Sequence, residues 1–219
     1  MKKLVTLAVA LFVLGTVSRA QGIEDGNHMF TMSVGAGAGL EDSGVEHPYS
    51  HEDIAWGEAG GVFGISYLVF PSKYFGMGVE VNDGIFAGED TTWYGVGTSH
   101  RIETAMNVFN AMASFRFNFN PDSRARFYIP FGVGLTSATG ALVETINGVE
   151  NTRHSSTQSL GYFAGFGFEI GLGQSGKWAL GSELRYNAFR YDTDKLLGSS
   201  IGQQDYSYVS ASFKASCRF

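Results

Sequence analysis

Only one cysteine, Cys217, occurs in 219 residues, so no disulfide can form within the chain. Four prolines are too few for a proline-rich linker. After residue 20 no stretch approaches the 18 or so consecutive apolar residues of a transmembrane helix. Basic residues are also scarce, with 15 Lys and Arg against 21 Asp and Glu, a formal net charge of −6. That balance excludes the basic surface that phosphate binding needs, and with it a nucleic-acid partner. No helical hydrophobic period, charge run or shift of composition marks a second domain.

What is present begins with Lys2 and Lys3, an apolar run from Leu4 to Val17, and Ser18-Arg19-Ala20 before Gln21. This order predicts a secretory signal peptide over residues 1–20 and one domain over residues 21–219. The segment 1–20 holds three of the basic residues, so the remainder carries 12 basic against 21 acidic groups, a net −9. No cysteine follows the apolar run where a lipid would be attached. An exported chain without disulfides must be held together by a core or by a membrane.

Thirty glycines, 18 phenylalanines and 10 tyrosines favour strands over helices. Phe30, Met32, Val34, Ala36, Ala38 and Leu40 share one face of a period-two segment, opposite Thr31, Ser33, Gly35, Gly37 and Gly39. Val209, Ala211, Phe213, Ala215, Cys217 and Phe219 do the same at the end of the chain, opposite Ser210, Ser212, Lys214, Ser216 and Arg218. Six further segments alternate in this way, two flanking Pro71-Ser72-Lys73, two flanking Asn120 to Ala125 and two flanking Gly173 to Lys177. The prediction is eight strands. Long connections follow strands one, three, five and seven, at roughly Glu41 to Trp56, Gly88 to His100, Thr139 to Gln158 and Arg190 to Asp205. In an up-and-down meander, short turns and both termini then share one end and the long loops the other, as in bacterial outer-membrane barrels.

The two faces separate a membrane barrel from a soluble one. Phe70, Tyr74, Phe117, Phe119, Phe127, Trp178 and Phe219 fall beside the short turns or the terminus, while Trp56, Trp93, Tyr94, Tyr191, Tyr206 and Tyr208 fall near the long loops. Two such bands fit aromatic girdles at the two membrane interfaces. The polar face combines Glu58, Glu80, Glu169 and Glu183 with Arg116, Arg185, Lys214 and Arg218. Inside a narrow barrel these charges have to pair, because an isolated buried charge costs several kcal/mol. The expected lumen network is Glu80, Arg116, Glu169, Glu183, Arg185, Lys214 and Arg218. The glycines on the same face suit a crowded interior.

These eight segments, the Phe127 to Leu135 strand, the Glu183-Leu184-Arg185-Tyr186 strand and the terminal Phe219 resemble the eight-stranded outer-membrane barrel family of the OmpA and OmpX type. The resemblance covers essentially all of the chain after residue 20. It implies an all-β, antiparallel, up-and-down transmembrane barrel in the bacterial outer membrane, surrounded by lipid and lipopolysaccharide. It also implies that Phe219 is the signal read by the outer-membrane assembly machinery, although Cys217 stands where an aromatic is frequent. No part of the chain is left over for the peptidoglycan-binding domain of some relatives.

Chemistry on this scaffold has few candidates. His154 and Ser156 have a spacing similar to that of lipid A deacylase barrels, yet Thr157-Gln158 replaces that family's Asn-Ala, and Arg185-Tyr186-Asn187-Ala188 lacks its histidine. The pair is expected in a polar loop without a positioned acidic partner. Glu41, Asp42, Glu46, Glu52, Asp53, His47 and His51 form an acidic first loop, but their spacing matches no metal motif and Pro48 breaks any helix there. A solvated loop is the expectation, with no metal and no cofactor. The glycine runs at Gly35 to Gly39 and Gly165 to Gly173 lie in strands with no following helix, so they are not phosphate loops. The expected function is structural or surface-binding through the long loops, not catalytic. The alternative is a lipid A-modifying enzyme or a narrow small-molecule channel.

Overall fold

A computed structural model describes residues 27–40, 45–46, 53–54, 58–95, 98–173, 176–192 and 203–219. The strands are β1 (His28–Gly39), β2 (Val45–Glu46), β3 (Asp53–Ile54), β4 (Ala59–Ser72), β5 (Phe75–Gly95), β6 (Thr98–Asn118), β7 (Ala125–Ile146), β8 (Val149–Leu172), β9 (Trp178–Asp192) and β10 (Gln203–Arg218). Apart from the two-residue partners β2 and β3, all belong to one closed antiparallel ring ordered β1-β10-β9-β8-β7-β6-β5-β4. β1 closes it, pairing with β10 from Met29↔Arg218 to Gly39↔Tyr208 and with β4 from His28↔Val69 to Ala38↔Ala59. Closure gives each strand two neighbours, so no backbone donor or acceptor need face hydrocarbon.

Period two divides every strand between two environments. Met32, Val34, Phe63, Ile65, Leu135, Leu160, Leu180, Leu184 and Phe213 stand exposed on the outer wall, as a lipid-facing surface requires. Residues of the other parity are buried or half-buried. The three short connections share one end with the described chain ends. The first turns at Lys73 and Tyr74, with Pro71 and Ser72 still in β4, and Lys73 Nζ lies 2.6 Å from an Asp122 carboxylate oxygen in the second.

The opposite end differs from the expected loops. Segments 88–100 and 139–158 are mostly paired strand: β5 and β6 run together to Gly95↔Thr98, and β7 and β8 to Ile146↔Val149. The tip of the second hairpin is Asn147-Gly148, both at positive φ (50° and 82°), as a two-residue primed turn requires. Hydrophobic alternation fades where a sheet leaves the membrane, since residues such as Thr139, Ser155 and Ser156 need no apolar face. The backbone ladder continues regardless. The first long connection contains the β2–β3 pair, and residues 41–44, 47–52, 55–57 and 193–202 lie outside the described residues.

β4 follows β5 only as far as Ala59↔Ala87, and β9 follows β8 only as far as Gly161↔Phe189. Beyond that level β5, β6, β7 and β8 continue as a four-stranded sheet. The 24 residues of β8 span roughly 80 Å at about 3.3 Å per residue, against the 9 to 11 residues or so that cross a bilayer.

Inside the ring, Phe86, Ile102, Met106, Val108, Ala138, Leu142, Phe189, Tyr206 and Tyr208 form an apolar cluster towards the long-strand end. Tyr206 and Tyr208 therefore do not belong to an outer girdle, and neither does Phe70, which is 3% exposed. All three have the parity of lumenal residues. Tyr74, Phe117, Phe119, Phe127, Trp178 and Phe219 are exposed on the outer wall near the short turns. Trp56 and the side chains of Trp93 and Tyr191 lie outside the described residues.

Asn147 also ties its hairpin to β6, donating its backbone N–H to Ser99 O at 2.9 Å and accepting the Ser99 N–H on Oδ1 at 3.0 Å. Gly148→Val forces a β-branched residue into the left-handed region at a cost of roughly 1 to 2 kcal/mol. The expected result is faster amide exchange over residues 144–152 with an unchanged barrel unfolding midpoint in detergent. A lowered midpoint would show that this hairpin belongs to the cooperative unit of the barrel.

Candidate functional site

The inward residues of the short-turn half are strongly charged, and three of their contacts, Arg185 to Glu80, Arg116 to Glu169 and Arg218 to Glu169, join strands that are not neighbours in the ring, which is only achieved across the lumen. Arg185 on β9 donates to Glu80 on β5 through Nη1 and, at 2.8 Å, Nη2; its Nε donates to Glu183. Lys214 on β10 donates to the other Glu183 oxygen at 2.6 Å. Asn82 donates to Glu80 at 3.2 Å. In a second cluster Glu169 on β8 receives Arg116 Nη1 from β6 at 2.8 Å and Arg218 Nη2 from β10 at 3.0 Å. Arg126 Nε on β7 also lies 3.0 Å from Glu169. Every one of the seven charged residues expected in the lumen is in one of these two clusters.

Aromatic rings support the guanidinium groups. Arg116 lies 3.6 Å from the centroid of Tyr128, and Arg185 lies 4.1 Å from that of Phe163. Each ring fits because a glycine faces it. A Cβ on Gly167 would come within 2.3 Å of the Tyr128 ring, and one on Gly132 within 2.4 Å of Phe163. Between these clusters and the apolar residues sits an amide tier, where Asn110 donates to Asn82 at 2.7 Å and accepts from Thr136 at 2.6 Å. The lumen is thus ionic at the short-turn end, amide-lined in the middle and apolar beyond.

Two lumenal assignments change. Glu58 is exposed at the rim before β4 and is not in the clusters. Arg126, absent from the sequence expectation, is buried beside Glu169. The expected fifth strand began at Phe127, so Arg126 fell in a turn; extending the strand parity by one residue would have found it. The described clusters then hold three acids and five bases, not equal numbers.

At the long-strand end, Arg101 on β6 makes two hydrogen bonds to Asp90 on β5 at 2.8 and 2.7 Å and an ion pair with Glu103 at 2.9 Å. The first of these contacts hold the Asp90 carboxyl below its ordinary range. Nearby, Tyr94 is 84% exposed. His100 Nε2 lies 2.7 Å from Glu144 on the inner face. His154 and Ser156 are in β8, opposite Ala141 and Thr139, and not in a loop; both are exposed on the outward face. Their alternate spacing on a strand puts them side by side on one face.

Phe219 closes the seam between β10 and β1. His28 N donates to Phe219 O at 3.1 Å, Phe219 N donates to His28 O at 3.0 Å, and the two rings stack with centroids 5.9 Å apart. Among the described residues no group of three His, Cys, Asp or Glu side chains comes together. The acidic residues and histidines of the first loop lie outside the described residues, apart from the backbone of Glu46 and Asp53.

Solved outer-membrane proteins are similar to this chain. OprG of Pseudomonas aeruginosa is 11% identical with a TM-score of 0.51, over 90% of this chain and 97% of that one. The outer membrane protease OmpT of Escherichia coli is 7% identical with a TM-score of 0.50, over 89% and 94%. Ail, the attachment invasion locus protein of Yersinia pestis, is 14% identical with a TM-score of 0.45, over 90% and 100%. At these identities the likeness of OprG and OmpT is one of fold alone. No curated protein matches the sequence. The family model of the outer membrane protein beta-barrel domain matches residues 7–219, so the chain belongs to that family and is a barrel protein of the bacterial outer membrane.

Proposed function

We propose that the protein is a structural or surface-binding barrel whose long-strand end faces the outside of the cell and carries the contacts. The observation behind this reading is the four-stranded sheet of β5 to β8, which continues past the level where β4 and β9 stop pairing with it. Its outward face is polar, with Asp90, Thr92, Arg101, His154, Ser156 and Gln158 exposed, together with Tyr94. A rigid sheet of this kind holds recognition groups in place with less loss of entropy than a free loop. The acidic first connection, between β1 and β4, belongs to the same end of the barrel. A surface ligand, including a cationic or divalent-bridged partner or neighbouring lipopolysaccharide, suits this combination. The filled lumen argues against a channel, since an eight-stranded ring leaves an interior that side chains fill.

The lumenal clusters are the plug and the brace of this barrel. Removing one partner of a buried ion pair leaves an uncompensated charge, at a cost of roughly 3 to 5 kcal/mol. Glu183→Ala and Glu169→Ala, each of which leaves guanidinium or ammonium groups without their carboxylate, are therefore expected to lower the thermal unfolding midpoint in detergent markedly, and Glu103→Ala to leave it nearly unchanged. Equal midpoints for all three would remove the bracing role.

Phe219 serves as the signal for the assembly machinery. Its ring remains 54% exposed at the base of the wall while its backbone completes the β1–β10 ladder. Phe219→Ala is expected to reduce the amount of folded protein in the outer membrane without preventing refolding of the purified chain in detergent. Full recovery from membranes would overturn this role.

Deletion of residues 90–101 and 143–152, with short turns in their place, is expected to abolish surface binding while the shortened barrel still folds. Retained binding would refute the reading. A second reading, lipid A modification by His154 and Ser156, rests on their adjacent exposure on one strand. Lipid A mass spectrometry of an overexpressing strain, repeated with His154→Ala, decides for it if a mass change appears and disappears with the histidine.

A further inference from the structure

Glu169 is surrounded by three guanidinium groups, those of Arg116, Arg126 and Arg218. One carboxylate balances one of them. In the neighbouring cluster Glu80 and Glu183 balance Arg185 and Lys214. Two positive charges therefore remain uncompensated among the described lumenal side chains of this half of the barrel. The hydrogen bonding is deficient in the same place. Arg116 Nη2, Arg126 Nε and Arg218 Nε have no acceptor, although Arg126 Nε is near Glu169 in distance. Arg116 is only 3% exposed and Arg126 8%. A carboxyl or a lysine in such a position can shed its charge by exchanging a proton, but a guanidinium cannot. The imbalance has to be met by a counter-charge.

Space for one exists beside Arg116. A cavity about the size of one water molecule lies between the two clusters, lined by Arg116, Arg185 and Lys214 and by the hydroxyl-bearing residues Thr31, Ser66, Ser114 and Tyr128. The Ser66 and Ser114 hydroxyl hydrogens rotate to donate inward, while the Thr31 hydroxyl is paired with Ser216 and that of Tyr128 with Glu183. Glu80 and Glu183 also border the cavity, but their oxygens are engaged by Arg185 and Lys214. A water molecule would satisfy an N–H group and leave the charge as it is. Phosphate or a carboxylate is too large for the space.

We propose that the lumen binds a single small monovalent anion of the halide class, physiologically chloride, at Arg116 between the two ionic clusters. The ion completes the donor set of Arg116 and offsets part of the positive excess around Glu169. It is a structural counter-ion and not a conducted one, because the clusters fill the lumen on both sides of it.

The test uses the purified full-length mature chain in detergent, with sodium chloride exchanged for sodium gluconate at constant ionic strength. Gluconate cannot enter a water-sized cavity. Stability is expected to rise with chloride, the unfolding equilibrium constant falling about tenfold for each tenfold increase beyond half-saturation. Crystals grown in bromide should show an anomalous peak within hydrogen-bond reach of the Arg116 guanidinium. Arg126→Gln removes one excess charge and leaves the cavity lining intact, so it should weaken the chloride dependence. It tests the idea even if Arg116→Gln does not fold. The proposal is overturned by a cavity without anomalous signal, by equal stability in chloride and gluconate, or by an undiminished chloride dependence in Arg126→Gln.

Discussion

Within hydrocarbon, a backbone N–H or C=O without a partner costs several kcal/mol, and no water is present to supply one. This chain meets the requirement by closing β1 onto both β4 and β10, so that every crossing strand has two neighbours. Closure in turn creates two surfaces with different demands. The outer one has to be apolar because it meets lipid. The inner one has to be filled, because a ring of eight strands encloses only enough space for side chains. Period-two alternation in the sequence follows from these demands, and so does the crowding of glycines opposite Tyr128 and Phe163.

The lumen is filled in tiers. Ionic clusters occupy the short-turn half, Asn82, Asn110 and Thr136 lie above them, and the cluster around Phe86 and Tyr208 occupies the far end. The order has a physical sense. Charges in a low-dielectric interior attract one another strongly but also lose hydration, so they are tolerable only where geometry pairs them closely. The apolar tier excludes water from the other side. Each arginine in the centre is further held by an aromatic face, which fixes a planar group that would otherwise be free to turn.

Beyond the membrane the same backbone rule no longer applies, and the wall changes character. Four strands continue as a sheet because their ladder is still favourable in water, while the outward side chains become more polar. Asp90, Arg101 and Glu103 then form an exposed ion pair network on the face that, lower down, carries Ile85, Phe109 and Leu135. Exposed pairs of this kind add little stability.

The alternation of Phe30 to Leu40 and of Val209 to Phe219 determined by itself that the chain forms strands with one lipid face, since side-chain parity is a local property of extended backbone. Strand number, the end that gathers the short turns and the parity of Glu80, Arg116, Glu169, Glu183, Arg185, Lys214 and Arg218 were legible for the same reason. Parity does not say where a strand stops. Arg126 looks like part of a turn, and residues 88–100 and 139–158 look like loops, because the hydrophobic signal fades while hydrogen bonding goes on. Phe70, Tyr206 and Tyr208 look like girdle residues by type and by nearness to the strand ends, and it is their parity, which is that of the lumenal residues, that turns them inward. Which carboxylate meets which guanidinium was decided only by closure. Glu80 and Arg185 are 105 positions apart, and nothing local in either segment specifies the barrel diameter across which they meet.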